Sequence, residues 1–187
     1  PGSTVAPCPI GGLIVECVDG ALVDGVSFRR MTIRDCCTPI FVRAETRLDR
    51  KWGNRIPLGI PFGTGLALKN VVFEDVRASA RSFTASSITG VSLVRPQNIV
   101  LRNVEIDMPG SGERGREEIG CPVPEVEDGY PDPYMFAHRM LPAYGFYVRH
   151  ADDVTFENVR VRVNGCEFRP MILRDDSMAS QKSPRLP

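Results

Sequence analysis

The sequence predicts an all-β fold, a right-handed parallel β-helix in which short strands stack coil upon coil. One observation is a pattern of apolar residues at offsets 0, 2, 5 and 7, which occurs four times in 187 residues. The copies are Val26, Phe28, Met31, Ile33; Val71, Phe73, Val76, Ala78; Ile99, Leu101, Val104, Ile106; and Val154, Phe156, Val159, Val161. The other observation is a strand form that ends in Arg and alternates with the copies, at residues 39–43, 145–149 and 170–174.

Each copy is interpreted as two short strands joined by a polar bend, because the residue before its third apolar position is always polar. These residues are Arg30, Asp75, Asn103 and Asn158. A repeating unit of three short strands without a helix is typical of a parallel β-helix. No segment has a 3.6-residue period, so the helix content is predicted to be low. A β-sandwich is the alternative, but it does not require the same offsets four times.

The remaining segments follow in order along a single predicted domain, residues 1–187. An irregular lead-in (1–12) precedes a short strand (13–17), and a further strand covers 86–91. Two segments interrupt the rhythm, the first excursion (44–67) and the second excursion (109–143), both rich in Gly, Pro and charge. A loop as long as the second one is usually functional or disordered. Residues 177–187 are predicted to be a frayed tail.

Composition excludes several functional classes. The chain has 23 basic and 23 acidic residues and no basic stripe interleaved with aromatics, which argues against nucleic-acid binding. It has no apolar run of 18 residues and no signal peptide at its N-terminus, so we predict no membrane contact. Six cysteines without a CxxC motif, and only His138 and His150 beside them, do not predict a metal site or a cofactor. Sequence alone does not assign disulfide pairs.

Several motifs together resemble glycoside hydrolase family 28, the polygalacturonases and their pectin-degrading relatives. They are IVECVDG, VSFRRMTIRDCCTPIFVR, LKNVVFEDVRAS, SSITGV, QNIVLRNVEI and LPAYGFYVRHADDVTFENV, with YPDPYMF before the last. The bacterial branch of the family is the most similar, and the resemblance covers about residues 11–176. It implies a single-stranded pectin-lyase-like solenoid that hydrolyses glycosidic bonds in an acidic plant polysaccharide with inversion. It also implies a secreted or periplasmic protein.

The chain departs from the family at its catalytic motifs. Inverting hydrolysis needs one carboxylic acid and one carboxylate about 6.5–9.5 Å apart. The family supplies them from Asn-Thr-Asp and Asp-Asp motifs, and the chain has neither Asn-Thr-Asp nor Gly-His-Gly. Its Asp-Asp pairs, 152–153 and 175–176, are interpreted as turn residues. We therefore expect the catalytic coils upstream of residue 1, and we expect the chain alone to be inactive.

Candidate substrate-binding residues are Glu16, Arg43, Arg149 and Tyr134. The resemblance aligns Glu16 with the Lys of the family's Arg-Ile-Lys strand, and Ile14 with its Arg. Arg43, Arg149 and Arg174 are expected to form an outward Arg ladder facing sugar carboxylates, for which guanidinium groups are suited. A solvated, paired charge column is the alternative.

Other candidates have simpler interpretations. Tyr134, with Tyr130 and Phe136, would stack on sugars or pack its loop onto the body. His150 is expected to have a structural hydrogen-bonding role, and an internal Asn ladder is expected at Asn103 and Asn158. The acidic cluster of the second excursion is interpreted as solvated loop; it contains Glu125, Glu127 and Asp128.

Two other functions remain open, a non-catalytic polysaccharide-binding β-helix and a structural assembly module. The lead-in does not resemble an amphipathic cap, so the first coil is expected to expose apolar surface and strand edges. The expected partners are therefore a pectic polysaccharide, and either the N-terminal half of the same β-helix or a second copy of the chain.

Overall fold

The computed structural model describes residues 11–17, 21–45, 67–92, 94–124 and 140–175. Within them lie nine strands and one short helix, which are β1 (Gly11–Cys17), β2 (Leu22–Cys36), β3 (Thr38–Ala44), β4 (Ala67–Ala80), β5 (Ser86–Thr89), β6 (Gln97–Pro109), α1 (Glu113–Glu117), β7 (Phe146–Arg149), β8 (Asp152–Asn164) and β9 (Ile172–Asp175). The predicted all-β class and low helix content are confirmed. Gly11 and Gly12 belong to β1 and not to the lead-in.

The strands form two wholly parallel sheets. Sheet A has the order β1-β3-β5-β7-β9, and sheet B has the order β2-β4-β6-β8. Strands that are consecutive in sequence therefore always lie in different sheets. Parallel neighbours require a crossover through other structure, and here each crossover is a strand of the opposite sheet.

The four copies lie in register along sheet B, and their apolar residues form four inward columns. Val26, Val71, Ile99 and Val154 are one column, and the other three offsets align in the same way. The central members of these columns, Phe73 and Leu101 among them, are fully buried. Val42, Ile88 and Val148 of sheet A face them, so the core lies between the two sheets. Phe28 stacks on Phe73, with ring centroids 5.3 Å apart.

The polar bend lies where the sequence predicts it, but it does not divide the strand. Each copy lies within one strand of 13–15 residues, and the residue at its bend is left-handed. Backbone φ there is 53° at Arg30, 55° at Asp75, 53° at Asn103 and 50° at Asn158. A second left-handed column precedes the copies, at Gly25, Asn70, Asn98 and Asp153. The expected Asn ladder forms, since Asn103 Nδ2 donates to Asp75 Oδ1 and Asn158 Nδ2 to Asn103 Oδ1, each at 2.9 Å. It lies on the exposed surface, so the expectation of an internal ladder is wrong.

The expected alignment of Arg174 with the other two Arg residues is also wrong. Asp175 pairs with Arg149, whereas Arg174 pairs with the inward-facing Val148. Because β9 is an edge strand, the long Arg174 side chain reaches across the end of the core. Its guanidinium donates to Val154 O at 2.8 Å and lies 5.4 Å from the centre of the Phe156 ring. This burial lowers the pKa of Arg174.

The other predicted segments are described only in part. Residues 46–66 of the first excursion, 125–139 of the second excursion and 177–187 of the tail lie outside the described residues. Cys37 is disulfide-bonded, and Cys17, Cys36, Cys121 and Cys166 are free thiols. Among the described residues, no helix has the length and hydrophobicity to cross a membrane.

Candidate functional site

The register of sheet A aligns one residue from each strand in a polar outer column. It consists of Glu16, Arg43, Thr89, Arg149 and Asp175. Four strand spacings of about 4.8 Å give the column a length of about 19 Å. Three of the four predicted substrate-binding residues therefore lie on one line. The fourth, Tyr134, lies outside the described residues.

Arg43 is buried at the second position of this column and is fully engaged within the fold. Its residue exposure is 3%, and its Nε and Nη2 atoms each lie 3.0 Å from Glu45 Oε2. Nη1 also donates to Gly90 O at 3.0 Å and to Thr89 Oγ1 at 3.3 Å. An outward, solvent-facing guanidinium was expected here, and that expectation is wrong. Arg43 instead holds the start of the first excursion and the end of β5 together.

Arg149 lies near the far end of the column, where its side chain is 15% exposed. Nη1 donates to Val123 O at 2.7 Å, and Nε lies 3.8 Å from Asp175 Oδ2. The Tyr147 hydroxyl donates to the same Asp175 oxygen at 2.8 Å. Burial, followed by this hydrogen bond, raises the pKa of Tyr147 well above its usual value, so the phenol is neutral and acts as a donor. Glu16 is half-buried at the opposite end.

The outer face of sheet A is buried from β3 to β7. The neighbouring outer positions Phe41, Ser87 and Tyr147 are all at most 1% exposed. Val123 and Leu141, from the two described ends of the second excursion, contribute to an apolar cluster that forms around Tyr147. The described ends of the second excursion therefore pack onto the C-terminal half of this face.

His150 is part of a polar cluster beyond the end of β7. It is 4% exposed, has a φ of 47°, and its Nδ1 lies 3.3 Å from Arg95 Nη1. Arg95 Nε donates to both carboxylate oxygens of Asp152, at 2.9 and 3.1 Å. Asp153, which follows, also has a positive φ of 53°. These contacts fit the structural role expected for His150. Asp152 and Asp153 are the first two residues of β8, so the expectation that they are turn residues is wrong.

A buried ion pair between Glu167 and Arg169 was not found by sequence reasoning. The Arg169 side chain is fully buried and the Glu167 side chain is 6% exposed. Arg169 donates to Leu141 O and Ala143 O, each at 3.0 Å, and Glu167 accepts bonds from the amide and hydroxyl of Ser111. We call these two residues, together with Ser111, the clasp. A Glu-x-Arg in a turn carries no sequence signal of burial.

The clasp also fixes the ionisation of Glu167. Burial by itself raises the pKa of this carboxyl, but the hydrogen bonds from Arg169 and Ser111 outweigh it and lower the pKa to about 2. The pair is thus charged at neutral pH and fully satisfied. It joins the two ends of the second excursion to the turn before β9.

Within the described ranges, no three His, Cys, Asp or Glu side chains are grouped so as to hold a metal ion. Comparisons with protein-family models, with curated proteins and with solved structures gave no match to this chain.

Proposed function

We propose that the chain forms a right-handed parallel β-helix, and that it is the C-terminal part of a polygalacturonase-like hydrolase acting on an acidic plant polysaccharide. The observation that supports the fold most strongly is the common register of the four copies, with the chain alternating between two parallel sheets. A right-handed crossover is the general rule for parallel strands. The resemblance to glycoside hydrolase family 28 supports the activity.

In this proposal the chain supplies scaffold and part of the binding face, and the catalytic carboxylates lie upstream. The two carboxylates of the outer column, Glu16 and Asp175, are separated by four strand spacings, about 19 Å. Inverting hydrolases hold their two carboxyl groups about 6.5–9.5 Å apart. Asp175 is moreover bonded to Tyr147 and Arg149. This pair is therefore an unsuitable catalytic pair, which supports an inactive chain.

Substrate contact is proposed for Glu16, Arg149 and Tyr134, whereas the role proposed for Arg43 changes. With its guanidinium bonded to Glu45 and buried, Arg43 positions the neighbouring residues and does not bind sugar directly. Arg149 keeps a partly exposed side chain, and Glu16 is half-buried at the open edge of sheet A. Both are placed to contact a chain that passes over the ends of the column.

An activity assay tests this proposal. The full-length gene product should release reducing sugar from a pectic polysaccharide, and proton NMR should show inversion at the anomeric carbon. The 187-residue chain alone should show no turnover. Turnover by the chain alone, or loss of such turnover on changing Glu125 or Asp128 to the amide, would show that the catalytic site lies here.

A non-catalytic polysaccharide-binding module is the second candidate, and the covered outer face of sheet A favours it. A sheet face whose outer positions on β3, β5 and β7 are buried has little room for a deep cleft. This candidate predicts that the full-length protein binds pectic oligosaccharides without hydrolysing them. A third candidate, a structural assembly module, predicts trimers formed through the coil faces.

The proposed protein partner meets the N-terminal edge of both sheets, either as the missing N-terminal coils or as a second copy. β1 and β2 are edge strands, and Ile14, Leu22 and Met31 on them are 39%, 63% and 37% exposed. Unpaired parallel edges with apolar neighbours readily accept another strand. Sedimentation should show self-association that Leu22→Lys weakens, while Ile119→Lys, at an exposed site away from this edge, leaves it unchanged. A monomer at high concentration would contradict the proposal.

The proposed location is secreted or periplasmic. The disulfide at Cys37 supports it, because disulfides persist in oxidising compartments.

A further inference from the structure

Beyond the bend, the outer surface of sheet B differs in charge from the surface before it. We call residues 31–36, 76–80, 104–109 and 159–164 the second arm. Before the bend, Arg29, Glu74, Arg102 and Glu157 alternate from strand to strand and are mutually paired, with contacts of 2.6 Å for Arg29–Glu74 and 3.2 Å for Arg102–Glu74. Two positive and two negative charges cancel there.

The second arm has more arginine than acidic residues, and its arginines form long ion pairs or none among the described residues. Its outer surface, with Arg81 beside it, carries five Arg and three acids, which are Arg34, Arg77, Arg81, Arg160 and Arg162 against Asp35, Glu105 and Asp107. Asp35 is paired with Arg81 at 3.4 Å. The side chains of Arg77 and Arg162 are 79% and 62% exposed, and their contacts with the other two acids are all 3.7–3.9 Å. Arg34 and Arg160, with Arg30 at the bend, make no ion pair within the described part of the chain.

Some of these side chains, Arg30, Arg77 and Arg162 among them, line two open grooves that follow one another along the strands of sheet B. The first groove, about 490 Å³, runs along the bend and is lined by Arg30, Arg77, Glu105 and the amide ladder of Asn103 and Asn158. The second groove, about 500 Å³, is lined by Arg81, Arg162 and Asp107 near the strand ends. Together they offer guanidinium donors, amide groups and carboxylate acceptors on one face.

We propose that the second arm is a binding surface for an extended, carboxylated polysaccharide. The Arg side chains suit sugar carboxylates. The amides and acids suit sugar hydroxyls, which both donate and accept hydrogen bonds. Nucleic acid fits this face less well, because among the described residues no aromatic side chain that could stack on bases lines either groove. This surface lies on the opposite sheet from the outer column. The choice of a polysaccharide as ligand rests on the proposed function, whereas binding to this surface does not require hydrolase activity.

Titration calorimetry with the 187-residue chain tests the proposal. A galacturonate oligosaccharide should bind with an affinity that falls with salt, and its methyl-esterified counterpart should bind about tenfold more weakly or worse. The double variant Arg77→Ser/Arg162→Ser should weaken binding by about fivefold or more, since each exposed charge contact is modest.

The matched control is Arg29→Ser/Arg102→Ser, which removes the same two charges from the paired arm and should change affinity by less than about twofold. Circular dichroism of both variants checks that they fold. The proposal is overturned if the oligosaccharide does not bind, if both double variants lose affinity equally, or if the methyl ester binds as well as the acid. Displacement of the oligosaccharide by equimolar duplex DNA would equally overturn it in favour of a nucleic-acid surface.

Discussion

Glu167 and Arg169 hold both ends of the second excursion through one buried ion pair. Breaking a buried, hydrogen-bonded pair by removing one partner is costly, since the remaining charge is left without compensation. The clasp also donates to Phe83 O, so it joins three segments that are far apart in sequence. The clasp therefore holds the described ends of the second excursion in place beside Tyr147 and Arg149.

The clasp predicts acid-sensitive stability. The pKa of Glu167 is lowered from 4.5 to about 2 in the folded chain. A lowered carboxyl pKa contributes stability that is fully present above pH 4.5 and is lost as the pH falls towards 2. That loss is of order 3 kcal/mol. Urea unfolding measured between pH 5 and pH 2 should show it.

The Glu167→Gln variant should have a lower free energy of unfolding than the wild-type chain at pH 7. It should also lose the part of the pH dependence between pH 5 and pH 2 that Glu167 causes. Glu113→Gln provides the control, because the Glu113 side chain is 77% exposed and pairs only within α1. If the free energy of unfolding falls with pH equally in the wild-type chain and in Glu167→Gln, the proposed role of the clasp is contradicted.

The buried state of Arg43 shows why single residues are hard to assign from sequence. Its place in the outer column follows from strand alternation, and the register confirms that place. Its burial depends on Glu45, on Gly90 and on what covers sheet A, none of which the local pattern contains. The sequence therefore predicts position along the sheet but not exposure to solvent.

At the level of the strand, each strand of sheet B has a left-handed residue at its bend. A β-branched residue at such a φ is strained, by about 1–2 kcal/mol, whereas glycine is not. Asn103, with a φ of 53°, also donates to Asp75 and accepts from Asn158 in the exposed ladder.

Asn103→Val is therefore expected to destabilise the chain by about 2 kcal/mol, and Asn103→Gly by less than about 1 kcal/mol. Chemical denaturation gives both values. Thr155→Val, which places the same residue at an ordinary exposed strand position of β8, should be nearly neutral. If the Val and Gly variants at position 103 are equally stable, the backbone there is not left-handed.

The strands also show which features are predictable from sequence. The offsets 0, 2, 5 and 7 predicted all four inward columns, because period-2 alternation and one polar bend are sufficient to define an inward face. The predicted register of Arg174 was wrong by one residue. A one-residue shift exchanges the two faces of a strand, and here Ile172, not Met171, faces the core.

At the scale of the whole molecule, the described residues form two different ends and two different faces. Arg174 lies over the core at the β9 end, whereas Ile14 and Leu22 are exposed at the β1 and β2 end. The described ends of the second excursion cover part of the outer face of sheet A, whereas the second arm is open and rich in arginine. Covering by segments distant in sequence could not be predicted from local patterns, because it depends on tertiary contacts of Val123 and Leu141.

The stacking of the coils in one parallel register is the claim on which both binding proposals depend. Dipolar electron paramagnetic resonance tests it with two pairs of spin-labelled residues, each pair with one label on β2 and one on β8. One pair lies before the bend and the other lies beyond it. Ser27 and Thr155 lie in one outward column, and Thr32 and Arg160 lie in another beyond the bend. Three parallel strand spacings predict about 14 Å for each pair. If either distance is longer than this by more than about 5 Å, as antiparallel strands or a different strand order would give, the account is contradicted.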